Sequence, residues 1–284
     1  MDLFHDRHHV RLRSRVHRTY LHAAEDGESV TLSQLHASMT AVWAVHIYNG
    51  DNGPYLLLHS AAYGRYLAAT ATPARLGHRG LRAELRDYDQ PGVEAFMWQA
   101  VDSGCGDDVV LLHNVGGRYL RANGRYLPWN STGVSVDDNA SSMMYYWVVE
   151  PIPAREDMPA LPAPPPNPPY LLGVIHVEPA RLIRFVRALD NGHYPEDPEH
   201  VAWRQFWFRG RSAFCLRDDL RFLVGAGVYY RNIAMCVRAG RYGRLTPLVV
   251  DLPDGGYGET LEIVLIRAET PAYNGLRHPD VNAE

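Results

Sequence analysis

Short runs of alternating apolar and polar residues, each closed by turn chemistry, dominate the first 150 positions. One unit recurs three times. Leu12-Arg13-Ser14 leads through a turn to Tyr20-Leu21, Leu58-His59-Ser60 to Tyr66-Leu67, and Leu112-His113-Asn114 to Tyr119-Leu120. Each reads strand, tight turn, strand, with Gly64 and Gly117 supplying the turn in the second and third copies. A further alternating stretch follows in each copy, at 30–32, 81–85 and 134–136, and each copy ends on a tryptophan: Trp43, Trp98 and Trp147. The tyrosines stand 46 and 53 residues apart and the tryptophans 55 and 49. Two independent landmarks therefore repeat three times with a common period.

Period-two alternation between turns predicts an all-β fold. A β repeat of this length cannot bury its own apolar face, so the copies must share one core. Three copies in residues 1–150 fit a closed barrel with no exposed edge, a β-trefoil. A three-bladed propeller is the alternative, but propellers typically have four or more blades. On this reading Leu12, Leu58, Leu112, Tyr20, Tyr66, Tyr119, Trp43, Trp98 and Trp147 pack around the threefold axis. They recur once per lobe in apolar company, which favours core over ligand platform.

The pattern changes after a proline-dense stretch at 151–169, read as a semi-rigid extended linker because proline lacks the amide donor and fixes φ. Beyond it, 170–177 and 182–188 read as a strand pair, 201–208 as an aromatic strand, and 211–224 as a helix with Ser212 as N-cap and Gly225 as stop. Strands at 233–237, 245–252 and 261–266 follow. Strands, one helix and strands again predict a small α+β domain of β-grasp type over 170–267, with a loose tail at 268–284.

Composition narrows the function classes. All 28 basic residues are arginine; there is no lysine, which excludes the P-loop, the kinase strand lysine and Schiff-base chemistry. A net charge of −4 argues against nucleic-acid binding by bulk charge. Cys105, Cys215 and Cys236 form neither a disulfide framework nor a zinc spacing. The polar N-terminus and the lack of a long apolar run predict no membrane partner and a cytoplasmic location, with the nucleus as the other compartment that fits. GxSxG, HExxH, P-loop and GxGxxG motifs do not occur. The pairs Asp107-Asp108, Asp137-Asp138 and Asp218-Asp219 are adjacent, so on a strand they face opposite sides. No catalytic residue and no cofactor is expected, and the protein reads as a non-enzyme.

The unit Leu58-His59-Ser60, Gly64-Arg65-Tyr66-Leu67-Ala68-Ala69 resembles the signature of the fascin-like, actin-cross-linking β-trefoils. Val10 to Ser14, Tyr20-Leu21 and the stretch Arg121-Ala122-Asn123-Gly124 through Trp129-Asn130 are similar to a narrower plant family of uncharacterised proteins with this trefoil and a small C-terminal domain. The resemblance covers most of 3–150 and, more weakly, 170–267. It implies the fold, and it implies a protein partner, with filamentous actin the first candidate. Fascins carry several trefoils in tandem and this chain has one, so bundling would require dimerisation or help from the second domain. The Gln-x-Trp repeats of ricin-type lectins are absent. Two other readings stand beside actin: an interaction scaffold in plant stress or defence signalling, and a carbohydrate or small-ligand reader. Fold alone does not choose among them.

Two groups of residues are candidates for binding. Arg11, Arg13 and Arg15 share strand parity with Arg7, opposite Val10, Leu12 and Val16, and would form a stripe for an acidic protein surface. Arg125, Tyr126, Trp129 and Asn130 lie in a polar loop, where an aromatic residue is better placed to bind than in the core. His5, His8 and His9 lack an accompanying carboxylate or cysteine at a recognised spacing, so no metal site is expected.

Overall fold

A computed structural model describes residues 3–50, 53–91, 93–124, 133–164, 180–225, 233–256 and 258–283. Twelve strands build the N-terminal domain in three lobes of four. The first lobe holds β1 (His9–Ser14), β2 (Tyr20–Ala23), β3 (Val30–Ser33) and β4 (Trp43–Gly50). The second holds β5 (Gly53–Ser60), β6 (Tyr66–Pro73), β7 (Leu81–Arg86) and β8 (Trp98–Asp102). The third holds β9 (Val109–Asn114), β10 (Arg118–Asn123), β11 (Gly133–Asp137) and β12 (Trp147–Ile152).

The first and last strands of each lobe close an antiparallel barrel, β1 to β4, β5, β8, β9, β12 and back to β1. The middle pairs form three hairpins that meet in a cap, joined by β11 to β3 and β7 and by a bridge between Ser29 and Glu84. This is the β-trefoil the threefold repeat implies.

The landmark residues show why the sequence folds this way. Leu12, Leu58, Leu112 and the three tryptophans are fully buried in one cluster. Each tryptophan follows a one-turn helix, Met39–Ala41, Glu94–Phe96 or Met143–Tyr145. Each indole N–H donates to the carbonyl of the Tyr-Leu leucine of its own lobe, Leu21, Leu67 or Leu120, at 3.0 Å in all three. A buried indole needs such a partner, and the repeat places one in every lobe. The tyrosines are less uniform. Tyr66 is fully buried, whereas Tyr20 and Tyr119 are half-buried.

The second domain is a five-stranded sheet with one helix on it. It comprises β14 (Ala180–Arg187), β15 (Arg204–Arg209), helix α1 (Ala213–Leu223), β16 (Ile233–Val237), β17 (Thr246–Pro247) and β18 (Thr260–Arg267). Strand order is β15-β14-β18-β16-β17, with β14 and β18 parallel and the other pairs antiparallel. Ser212 caps α1 through its Oγ, which accepts from the Cys215 N–H. Gly225, at φ +86°, ends the helix in a conformation that glycine tolerates. Ala213, Leu216 and Leu220 seat the helix on Ile183, Phe185, Ile263 and Leu265.

Four expectations are corrected. The linker region begins as strand: Pro151 lies within β12 opposite Val10, and β13 (Ala154–Arg155) follows. At Pro151 the strand has β1 as its only ladder neighbour, so the missing N–H breaks no bond. The 245–252 run makes ladder contacts only through β17. The rest is coil, with Leu248 and Leu252 packed in the core that seats α1 and Val249 buried apart from it. The 201–208 strand starts only at Arg204, because Trp203 turns inward and its indole donates to the Pro195 carbonyl. Finally, 268–284 is not a loose tail. It forms helix α2 (Pro271–Asn274) and then β19 (His278–Pro279), which pairs with β13. The expected strand at 170–177 lies outside the described residues.

Candidate functional site at the domain seam

Three parts of the chain meet on one side of the barrel: the first two lobes of the trefoil, the β16–β17 region of the second domain, and the C-terminal segment. The Arg244 backbone N–H donates to the Tyr66 hydroxyl at 3.0 Å, and the Arg244 guanidinium grips Asp6 at 2.8 and 3.1 Å. The Thr246 hydroxyl meets His59 Nδ1 at 3.1 Å. Tyr88 exchanges backbone bonds with Ala239 and Tyr242, both at 2.9 Å. Arg65 joins Asp87 of the trefoil to Glu259 of the second domain. The C-terminal segment is tied down at Asp280, whose N–H donates to the Pro153 carbonyl, and by Arg11, which donates to the carbonyls of Val281 and Ala283.

These contacts enclose a cavity of about 250 Å³. Its floor is apolar, with Met39, Val45, Leu245, Val249 and Leu276. Its polar wall is made of His9, His59, His278 and Thr246, with Arg7, Arg244 and Arg277, and among the described residues no aspartate or glutamate lines it. The three histidines come from β1, β5 and β19, and each is at least nine-tenths buried. His59 has its hydroxyl partner, while the rings of His9 and His278 make no hydrogen bond among the described residues. Arg7 and Arg277 stand exposed at the mouth, and neither guanidinium pairs with a carboxylate among the described residues.

The electrostatics follow from this crowding. Burial pulls the His9 ring down to about 4, helped by the positive charge of His278, His8 and Arg277. Burial also holds His59 well below its ordinary value, with His46, His9 and Arg244 adding to it and Asp6 opposing. His278 is lowered by burial and by Arg155. The wall thus carries the fixed positive charge of its arginines and three imidazoles held neutral chiefly by burial, with neighbouring positive charge adding to it. Among the described residues no group of three His, Cys, Asp or Glu is placed to hold a metal ion, so the three rings do not converge on one point.

The residues expected to bind are elsewhere or otherwise engaged. Arg11 is buried, 5% exposed, and spent on the C-terminal carbonyls. Arg13 pairs with Glu150 of β12 at 2.5 Å. Arg15 is half-buried, with one guanidinium nitrogen sealed off and unpartnered. The exposed arginine stripe therefore does not exist, because the strand face it occupies is covered by the C-terminal segment and by β12. Arg125, Tyr126, Trp129 and Asn130 lie outside the described residues. Of the chain-end histidines, His5 and His8 are exposed and only His9 reaches the cavity. Sequence reasoning missed His59, Arg244, Arg277 and His278 as site residues. His59 sits in a repeat motif that His113 shares, and nothing near 278 marks it.

The architecture is a closed trefoil followed by a second, β-grasp domain. Residues 1–150 match the beta-trefoil domain of unknown function DUF569, and residues 179–266 match the DUF569-associated ubiquitin-like domain. The chain belongs to the DUF569 family. No curated protein matches it. Among solved structures it is similar to a designed threefold-symmetric protein, ThreeFoil, at 18% identity and TM-score 0.39 over 50% of this chain and 97% of that one. It is also similar to the ricin B-like lectin of Macrolepiota procera in complex with lactose, at 17% identity and TM-score 0.42 over 51% and 96%. A third is the SDF2-like protein from Arabidopsis thaliana, at 15% identity and TM-score 0.45 over 51% and 93%. Likenesses at this level transfer no ligand to this chain. No helix among the described residues is long and apolar enough to cross a membrane.

Proposed function

We propose that the protein is a non-enzymatic binding module whose recognition site is the seam cavity, built jointly by the trefoil, the ubiquitin-like domain and the C-terminal segment. One observation carries this reading. The cavity wall takes His9 and His59 from the barrel, Arg244 from the second domain, and Arg277 and His278 from the C-terminal segment, so a ligand there senses all three at once. Among the described residues the wall offers no carboxylate and no serine or cysteine nucleophile, which suits binding rather than chemistry. A volume of about 250 Å³ is below the ~300–1,000 Å³ of drug-sized ligand pockets. A compact molecule fits, and an oligosaccharide or a filament surface does not enter it.

Association with filamentous actin rests on the resemblance alone, now without the arginines it was to act through. Co-sedimentation with filamentous actin is its test. The seam reading is tested by amide hydrogen exchange of the full chain with and without citrate, phenyl phosphate and lactose. Protection of 244–249 and 275–279 by any of them supports the seam as the site. Protection elsewhere, or none with all three, refutes it.

A further inference from the structure

We infer that the seam cavity takes a small organic anion, a carboxylate or phosphate monoester with an apolar body, whose charged group sits among His9, His278 and the mouth arginines Arg7 and Arg277. The inference rests on the seam being the binding site and adds the chemical class of its occupant.

Three observations carry it. Among the described residues the polar wall has six positive or protonatable groups and no acid, in a chain whose net charge is −4. Several arginines, among them Arg13, Arg65, Arg211, Arg238 and Arg267, are already paired with carboxylates. Arg7 and Arg277, at the mouth, do not. Most telling are His9 and His278, 8% and 5% exposed, whose rings find no hydrogen-bond partner among the described residues. Neither ring has a nitrogen among the sealed-off unpartnered polar atoms, so both imidazoles open onto the cavity and can offer an N–H to an acceptor placed there.

The apolar floor sets the other half of the ligand. Met39, Val45, Leu245, Val249 and Leu276 would desolvate an alkyl or aryl body, while a bare inorganic anion would leave that surface facing water. Arginine binds carboxylate and phosphate oxygens bidentately, so both head groups satisfy the wall.

Binding must also move protons. Facing the anion are His9 on β1, His59 on β5, His278 on β19 and the arginines, with His8 and His46 behind them. Asp6 is the single nearby acid, and Arg244 already holds it. An anion offsets the burial and the neighbouring positive charge that keep the rings neutral, so the complex takes up protons and tightens as pH falls.

Isothermal titration of the full chain with phenyl phosphate, benzoate and benzyl alcohol tests this, in buffers of different ionisation enthalpy at about pH 7.5 and about pH 5.5. One or both anions should bind with net proton uptake, at least about tenfold tighter at the lower pH, and the neutral alcohol at least about tenfold more weakly. Which anion prevails separates phosphate from carboxylate as the natural head group. Arg277→Ala and Arg7→Ala, both exposed and tolerable to the fold, should each weaken anion binding about three- to tenfold. If benzyl alcohol binds as well as the anions and His278→Gln weakens it, the seam reading stands and the anion class is wrong. If the anions bind but neither arginine variant nor His278→Gln changes their affinity, the seam is not the site. If nothing binds at either pH, the inference is wrong.

Discussion

The Tyr66 hydroxyl accepts a hydrogen bond from the backbone N–H of Arg244 at 3.0 Å, a contact its threefold counterparts Tyr20 and Tyr119 do not make. The same hydroxyl lies 3.0 Å from His46 Nδ1, and burial drives its pKa up to about 12. In the third lobe the pair His113 and Tyr119 stacks at 4.5 Å between ring centroids but stays half-buried. At this tyrosine position the second domain thus breaks the symmetry of the trefoil. Tyr66→Phe should cost about 1–3 kcal/mol, because it leaves buried partners unsatisfied. Tyr119→Phe should cost less than about 0.5 kcal/mol. Urea denaturation of the two variants side by side measures the difference.

The tryptophans test the symmetry that does hold. Trp43→Phe, Trp98→Phe and Trp147→Phe each remove one indole bond to a leucine carbonyl and leave a cavity. Each should cost about 2–4 kcal/mol. The three values should agree within about 1 kcal/mol, and a spread beyond that would show that the lobes do not carry equal shares of the core.

Arg11 fastens the C-terminal segment. Arg11→Gln should free the Val281 and Ala283 carbonyls and raise amide exchange over 278–283 by at least about tenfold, while the barrel amides stay protected. Equal exchange in the variant and the parent would show that pairing of β19 with β13 holds the segment by itself.

How much of this was legible in the sequence follows from the range of each contact. The lobe pattern was readable because Leu12, Tyr20 and Trp43 recur with one period, and Ser212 and Gly225 bracket α1 by local rules that need no partner. The seam was not readable. Tyr66 meets Arg244 across 178 positions, and Arg11 meets Val281 across 270. Strand parity placed Arg11 and Arg13 on one face correctly. It carried no information that another segment covers that face. His9 lacks a metal-ligand spacing in the sequence, and nothing local marks it as the buried residue of β1 that it is.

The buried histidines make stability depend on pH. His9 and His46 titrate at about 4 in the folded chain, against 6.5 when unperturbed. Between these values the unfolded chain binds protons that the folded one excludes, so folding is favoured above about pH 6.5 and weakens as pH falls towards about 4. The urea midpoint should drop between about pH 7 and about pH 4.5, and His9→Gln should flatten that drop. A midpoint that rises on acidification would have the sign wrong.

The most direct test of the seam as an anion site is to titrate the imidazole rings themselves. Histidine-selective NMR of the full chain, with His9 and His278 assigned through His9→Gln and His278→Gln, reports the pKa of each ring with and without phenyl phosphate. The rings of His9 and His278 should move upward by at least about one unit when the anion is present, while His113, outside the cavity, stays unchanged. Unaltered titration of His9 and His278 under saturating phenyl phosphate, or a shift shared equally by His113, would contradict the account.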